Sequence, residues 1–196
     1  LSKLEGEFTF GMNRIYLLFP ELGFPTTYFL SVNSLVIEQC AQDIVKLPMQ
    51  RFLSWRSHHL VPASESVIYL HTTYTGPKFA TDARGRLWEG ATVTYVALQL
   101  AYFMGFEEII LIGVDHSFSA QGKPNETVLS QGDDSDHFDR RYFGKGFRWQ
   151  LPDLDTSERS YLLARRTFEE DGRQVLDATL GGKLQVFPKV DYSSLF

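Results

Sequence analysis

The sequence predicts an α/β sandwich with a mainly parallel sheet and one long lid loop. Three observations carry that reading. Strand-like runs alternate with helical periods, a continuous apolar run at 109–112 follows directly on a helix, and residues 117–154 show no regular period. Strands joined by crossover helices of this length make a Rossmann-like three-layer sandwich.

Each element has its own signal. Residues 8–10 form the first strand candidate and lead into Gly11, Met12 and Asn13. Residues 27–32 are rich in β-formers and break at Asn33 and Ser34, where an Asn or Ser cap starts a helix with apolar positions Leu35, Val36, Cys40, Ile44 and Leu47 before Pro48. Residues 50–55 and 66–71 read as further strands, and 76–86 as loop. The clearest helix places Val93, Val96, Ala97, Leu100 and Met104 at helical spacing, with Thr92 or Thr94 as cap and Gly105 as stop. The run Ile109, Ile110, Leu111, Ile112 has the composition of a strand buried on both faces, and it delivers Asp115 to the carboxyl end of a central strand, where open α/β sheets bind ligands. An acidic turn at 153–158 then opens a third helix that carries Tyr161, Ala164 and Phe168 on one face and stops at Gly172. Residues 174–176 and 184–187 read as the last strands, on either side of the turn at Asp177, Ala178 and Thr179.

With 196 residues, 43% of them hydrophobic and 22% charged, the chain suits one domain with its own core, spanning 1–196 with 117–154 as its lid. A net charge of −5 argues against a general nucleic-acid binder or a polybasic membrane-surface protein, because both need clustered, uncompensated cations. The single cysteine, Cys40, can form neither an intramolecular disulfide nor a cysteine-based metal site. A reducing, cytoplasmic compartment with Cys40 as core filler is the expectation. No apolar run approaches the ~20 residues that cross a bilayer, and the first residues lack the apolar segment of a secretory signal. Asn125, Glu126 and Thr127 match a glycosylation sequon, read here as an accident of a polar loop.

The strand ends nominate the site: Asn13, Asn33, the helix start at Thr92, Val93 and Thr94, then Asp115, and Asp177 to Thr179. An asparagine amide both donates and accepts, so it reads a base edge or a sugar hydroxyl without adding charge; a helix start offers free N–H groups to a phosphate. Asn13, Asn33, Thr92 and Thr94 could equally be helix caps, and Gly181–Gly182 a turn. In the lid, DDSDHFDRRYFGKGFRW at 133–149 crowds acids, arginines and aromatics around His137. A histidine aligned by a carboxylate can move protons near neutral pH, although a lone loop histidine is more often structural. His58, His59, His71 and His116 lack metal-motif spacing, so no metal site is expected. GxxxxGK[ST], GxGxxG and GxSxG are all absent from the sequence.

The segments FGMNRIYLLF, YFLSVNSLVIEQ, GATVTYVALQLAYFMGFEEIILIGVDHSF, DHFDRRYFGKGFRW and DATLGGKLQVFPKVDYSSLF, in that order, resemble the MptE-like family, whose relatives include the motility-associated-factor glycosyltransferases. The fold implied is similar to that of the small bacterial sialyltransferases that use CMP-activated sialic acid. This resemblance runs from about Phe8 to Phe196. It implies transfer of a nonulosonic-acid type sugar from a CMP donor to a bacterial surface glycan or glycoprotein, with inversion, no required cofactor and a lid histidine as base. Asn13 and Asn33 resemble the family's nucleotide- and sugar-contacting asparagines, Thr92 to Thr94 its phosphate-side helix start, and Asp177 to Thr179 its nucleoside turn. His137 would be the base, with Arg141 and Tyr142 beside the leaving phosphate. The relatives' own histidine aligns near Arg141, and His137 with Phe138 aligns on their His-Tyr pair. The family opens with a strand and a Gly-Asn-Gly-Pro-Ser-like loop, and this chain, which opens without Met, is expected to start after them. The archaeal branch implies the alternative, a magnesium-dependent ATP diphosphotransferase acting on a hydroxymethylpterin; a nucleotide-binding domain without catalysis is the third reading. Aromatics beside the lid would suit a partner contact such as a homo-oligomer.

Overall fold

The computed structural model describes residues 1–119 and 122–196; Ala120 and Gln121, within the expected lid, lie outside the described residues. In chain order the elements are β1 (Phe10–Met12), α1 (Phe19–Leu22), β2 (Tyr28–Ser31), α2 (Ser34–Ile44), β3 (Gln50–Ser54), β4 (Val67–Thr73), β5 (Arg86–Trp88), α3 (Val93–Phe103), β6 (Glu108–Leu111), β7 (Thr127–Leu129), β8 (Arg148–Gln150), α4 (Leu154–Glu170) and β9 (Gln174–Asp177). The chain is α/β, with a sheet ordered β1-β2-β3-β4-β5 and flanking helices, consistent with a Rossmann-like sandwich. It divides into two compact units, Leu1–Thr72 with Gln121–Leu151, and Thr73–Ala120 with Pro152–Phe196.

In the first unit β1, β2, β3 and β4 pair in parallel, with registers that set Phe10 against Tyr28, Tyr28 against Gln50, and Arg51 against Val67. α2 is the crossover between β2 and β3. It starts where the Asn33 side chain accepts from the N–H groups of Leu35 and Val36, and it buries Val36, Ile37, Cys40 and Ile44 against Phe29 and Leu53. Cys40 is thus the core residue expected of it. The carbonyls left over at the end of α2 are met by a buried side chain: Arg51 donates to Ile44 and Val45.

The second unit is built on α3 and α4, with β6 and β9 paired in parallel from Glu108–Gln174 to Leu111–Asp177. Thr92 caps α3, Gly105 follows its end at φ +86°, and Asp153 caps α4, as their side-chain chemistry predicts. Tyr95, Leu98, Tyr161, Ala164 and Phe168 from the two helices close on Leu111, Val175 and Leu184. Gln99, fully buried in α3, is satisfied on every side: its amide donates to the Trp88 and Tyr95 carbonyls and accepts from the N–H groups of Ala80 and Trp88. β5 enters beside Thr73, whose carbonyl accepts from the Glu89 N–H at 2.9 Å.

Five expectations need correction. The apolar run at 109–112 is not buried on both faces: β6 lies with β9 in a two-stranded sheet, Glu108 is exposed, and Ile109 and Ile110 are half-buried. A continuous apolar run reports hydrophobicity, not the number of covered faces. Residues 184–187 form no strand; Leu184, Val186 and Phe187 fill the core as irregular chain. β1 begins at Phe10 rather than at residue 8, and the 76–86 loop ends in β5. The lid, expected without regular structure, carries the antiparallel pair β7 and β8, with Thr127 opposite Gln150. Among the described residues no helix is long and apolar enough to cross a membrane.

Phe168 is fully buried, and its ring meets Tyr102 at 5.2 Å and Phe79 at 6.0 Å, both edge to face. Phe168→Ala is expected to cost about 3–5 kcal/mol in urea unfolding, since the surrounding rings cannot close the space.

Candidate functional site

The first unit collects Asn13, Asn33 and the lid residues His137, Arg141 and Tyr142. β1 ends at Met12, and Asn13 turns the chain at φ +54°, a conformation asparagine tolerates better than most residues. Its N–H donates to the Leu30 carbonyl and its Oδ1 accepts from Ser31 Oγ at 3.0 Å, so the turn is tied to β2. Asn33 Oδ1 is spent on capping α2, while Nδ2 faces Gln150 Oε1 of β8 at 3.5 Å. Of the two roles open to Asn33, the cap is filled by its oxygen; its amide N–H groups remain the part that faces the lid.

The lid folds around Asp134. Its side chain is only 5% exposed, and its two oxygens accept from the backbone N–H groups of Asp136, His137 and Phe143, and from His137 Nδ1 at 2.9 Å. Four donors on one carboxylate fix the loop and the imidazole together. The imidazole stacks on Tyr142, with ring centroids 4.0 Å apart and planes 5° apart. Tyr142 is buried; its hydroxyl lies 3.5 Å from the Arg14 N–H. Burial pushes the Tyr142 phenol up to about 12, against the smaller lowering influence of the Arg14 N–H and the Asn13 side chain. Thus His137, Tyr142 and Asn13 form a continuous path from lid to strand end.

Arg141 is held differently. Its Nε and Nη2 bond both oxygens of Asp139, and its side chain is 71% exposed. Hydrogen bonds from the Arg141 guanidinium and N–H hold the Asp139 carboxyl down to about 2. The guanidinium that binds the lid to β1 is that of Arg14, which donates from Nη1 to the carbonyls of Arg141 and Tyr142 and lies 5.2 Å above the Phe147 ring. Arg14, Gln39, Asp133, Arg140, Arg141, Gly144, Lys145, Gly146 and Phe147 surround an open cleft of about 510 Å³. Arg14, Arg140, Arg141 and Lys145 line it, and although Arg141 is paired with Asp139 and Arg140 lies 3.8 Å from Asp133, the excess of positive charge favours an anion. Behind it, β8 docks on α2: Gln39 donates to the Arg148 carbonyl and accepts from the Arg148 N–H, both at 2.8 Å, and Arg148 pairs with Glu38.

The second unit holds the remaining sequence-predicted residues. Thr92 accepts from the Thr94 N–H as cap of α3, and its hydroxyl lies 3.2 Å from Tyr161 Oη; Val93 is the first helical residue. Asp177 is buried and committed: it accepts from the Thr179 N–H at 2.8 Å and from Lys189 Nζ at 2.6 Å. Thr179 Oγ1 accepts from the Val114 N–H, and the Ala178 N–H continues the pairing to Leu111. Asp115 exposes its side chain, while its carbonyl accepts from the Lys183 N–H at 2.7 Å. His116 next to it sits at φ +54° with Nε2 3.5 Å from Glu158 Oε2.

Sequence reasoning missed Arg14, Asp134 and Lys145. Arg14 is one residue past a nominated asparagine, and an Asp followed two and three residues later by turn residues, as in DDSDH, signals a side chain that captures nearby N–H groups. Among the described residues no group of three or more His, Cys, Asp or Glu is placed to hold a metal ion. Comparison with known proteins finds no matching family model, no matching curated protein and no matching solved structure.

Two outcomes follow. Asp134→Ala, which strands several donors at once, is expected to cost about 2–3 kcal/mol and to open residues 122–151 to limited proteolysis. Tyr142 should stay protonated well past pH 10; because its folded value is raised, its contribution to stability is full below pH 10 and is lost as the pH climbs through about 12, read by phenolate absorbance alongside alkaline unfolding.

Proposed function

We propose that this chain is a glycosyltransferase that moves a nonulosonic-acid type sugar from a CMP-activated donor to a hydroxyl of a bacterial surface glycan or glycoprotein. The observation that carries the reading is the Asp134–His137 pair stacked on Tyr142, beside a cationic cleft and the strand-end asparagine. Asp134 accepts a hydrogen bond from the Nδ1–H of His137, the tautomer that leaves Nε2 as the basic nitrogen. In the proposed step Nε2 accepts the proton of the acceptor hydroxyl. The oxygen bonds to the anomeric carbon from the face opposite the phosphate, the carbon–phosphate-oxygen bond breaks, and CMP leaves with the electron pair and its negative charge. Arg14, Arg140, Arg141 and Lys145 supply the positive field that offsets that charge. Asn13 and the Asn33 amide N–H groups orient donor hydroxyls, and the chemistry asks for no metal. The lid suits a loop that must exclude water over a reacting sugar, since Arg140 and Arg141 are exposed while Asp134 and Tyr142 pack inward.

His137→Ala is expected to lower turnover at least about 100-fold while CMP still raises the melting temperature. Stabilisation by ATP with magnesium but not by CMP would replace this reading with diphosphate transfer, and no stabilisation by CMP, CDP, ATP or GTP would make the chain a non-catalytic domain.

A further inference from the structure

We infer that Arg14 is the residue of the cleft that holds the donor's phosphate directly, while the other three cations only attract it. The difference lies in how each charge is placed. Arg141 is exposed and bonds both oxygens of Asp139, and Arg140 is exposed 3.8 Å from Asp133. Lys145 is exposed in a turn that the Phe147 N–H closes on the Gly144 carbonyl at 3.0 Å, with Gly146 at φ +86°. Exposed or already paired cations raise the local concentration of an anion but hold it weakly. Water and salt screen them, and each long side chain must be immobilised on contact.

Arg14 is held in place before any ligand arrives. It follows the Asn13 turn at the end of β1 and is half-buried. Its Nε donates to Tyr16 Oη at 3.3 Å, and that hydroxyl donates in turn to Asp43 Oδ2 at 3.4 Å. Nη1 donates to the carbonyls of Arg141 and Tyr142, and Cζ lies over the Phe147 ring. Every acceptor it meets is neutral, so no carboxylate neutralises its charge, and among the described residues Nη2 has no partner. A fixed guanidinium bordering a cationic cleft, with two N–H groups to spare, gives charge-assisted hydrogen bonds at little cost in side-chain freedom. The charge count points to the ligand. Only Arg14 and Lys145 of the four cations lack a carboxylate partner among the described residues, and two such charges match a phosphate monoester, with about two negative charges at neutral pH, better than a carboxylate. Cleavage of the donor leaves CMP as that monoester, so the contact with Arg14 strengthens as the bond breaks. The contact is also conditional, because the lid carbonyls that fix Nη1 are what orient Nη2.

This inference rests on the glycosyltransfer reading for the identity of the phosphate, and its test separates the two. Wild-type protein, Arg14→Ala, Arg14→Lys and Arg141→Ala, each checked for cooperative melting, are titrated calorimetrically with CMP, cytidine and inorganic pyrophosphate. CMP is expected to bind the wild type at least about tenfold more tightly than cytidine. That ratio should fall to about one in Arg14→Ala and lie between in Arg14→Lys, whereas Arg141→Ala lowers it by less than about threefold. A purely structural role for Arg14 would weaken both ligands together and leave the ratio standing. A ratio kept in Arg14→Ala, a larger fall in Arg141→Ala than in Arg14→Ala, or equal affinity of CMP and cytidine for the wild type overturns the assignment. If pyrophosphate binds the wild type and CMP does not, the donor reading falls; loss of pyrophosphate binding in Arg14→Ala but not in Arg141→Ala then leaves Arg14 as the anion's ligand, and its retention in Arg14→Ala removes that role too. A wild type that binds neither CMP nor pyrophosphate overturns both.

Discussion

One carboxylate governs the lid. Asp134 gathers three backbone N–H groups and an imidazole N–H within a stretch of ten residues, and without it those donors would be buried against no acceptor. The consequence for chemistry is positional. The same oxygen that fixes the Phe143 N–H also fixes the His137 ring, so the loop cannot fold without aiming the histidine, and Tyr142 then has a single face on which to receive it. Arg14 closes the arrangement from the β1 side by bonding consecutive lid carbonyls, which turns a surface loop into part of the first unit's core edge.

The asparagines illustrate how little a residue type says about its use. Asn33 gives its oxygen to a helix and keeps its nitrogen toward the lid, whereas Asn13 uses its oxygen on Ser31 and its backbone on Leu30 while turning the chain through a left-handed conformation. The two ends of one amide thus serve different elements, rather than each residue serving one. Asp177 shows the opposite case: both its oxygens are taken, by Thr179 and Lys189, and it serves the fold of the second unit.

Helix starts were legible because their signals are local. Asn33, Thr92 and Asp153 each capture an N–H two or three residues away, so the pattern is complete within one turn. Strands were legible where β-branched or aromatic runs broke cleanly, as at residues 28–31 and 50–54. What escaped was decided over longer distances. β7 finds β8 across most of the lid, Leu184 enters the core through packing rather than pairing, and Ile109 is covered by core partners that no window around it contains. In the site, His137 and Tyr142 stood out by chemistry, but Arg14 is a lid residue only through contacts to positions more than a hundred residues away.

Gln39 has an effect beyond attaching β8 to α2. A short hairpin strand with an open side invites another chain to add itself there, and proteins commonly block such edges with charge or proline. Here a helix side chain offers Arg148 the donor and acceptor of a peptide group, so the strand meets an imitation of its neighbour at that residue. At Arg148 that edge of β8 is occupied, and loosening the Gln39 amide would leave the Arg148 N–H and carbonyl open to another strand.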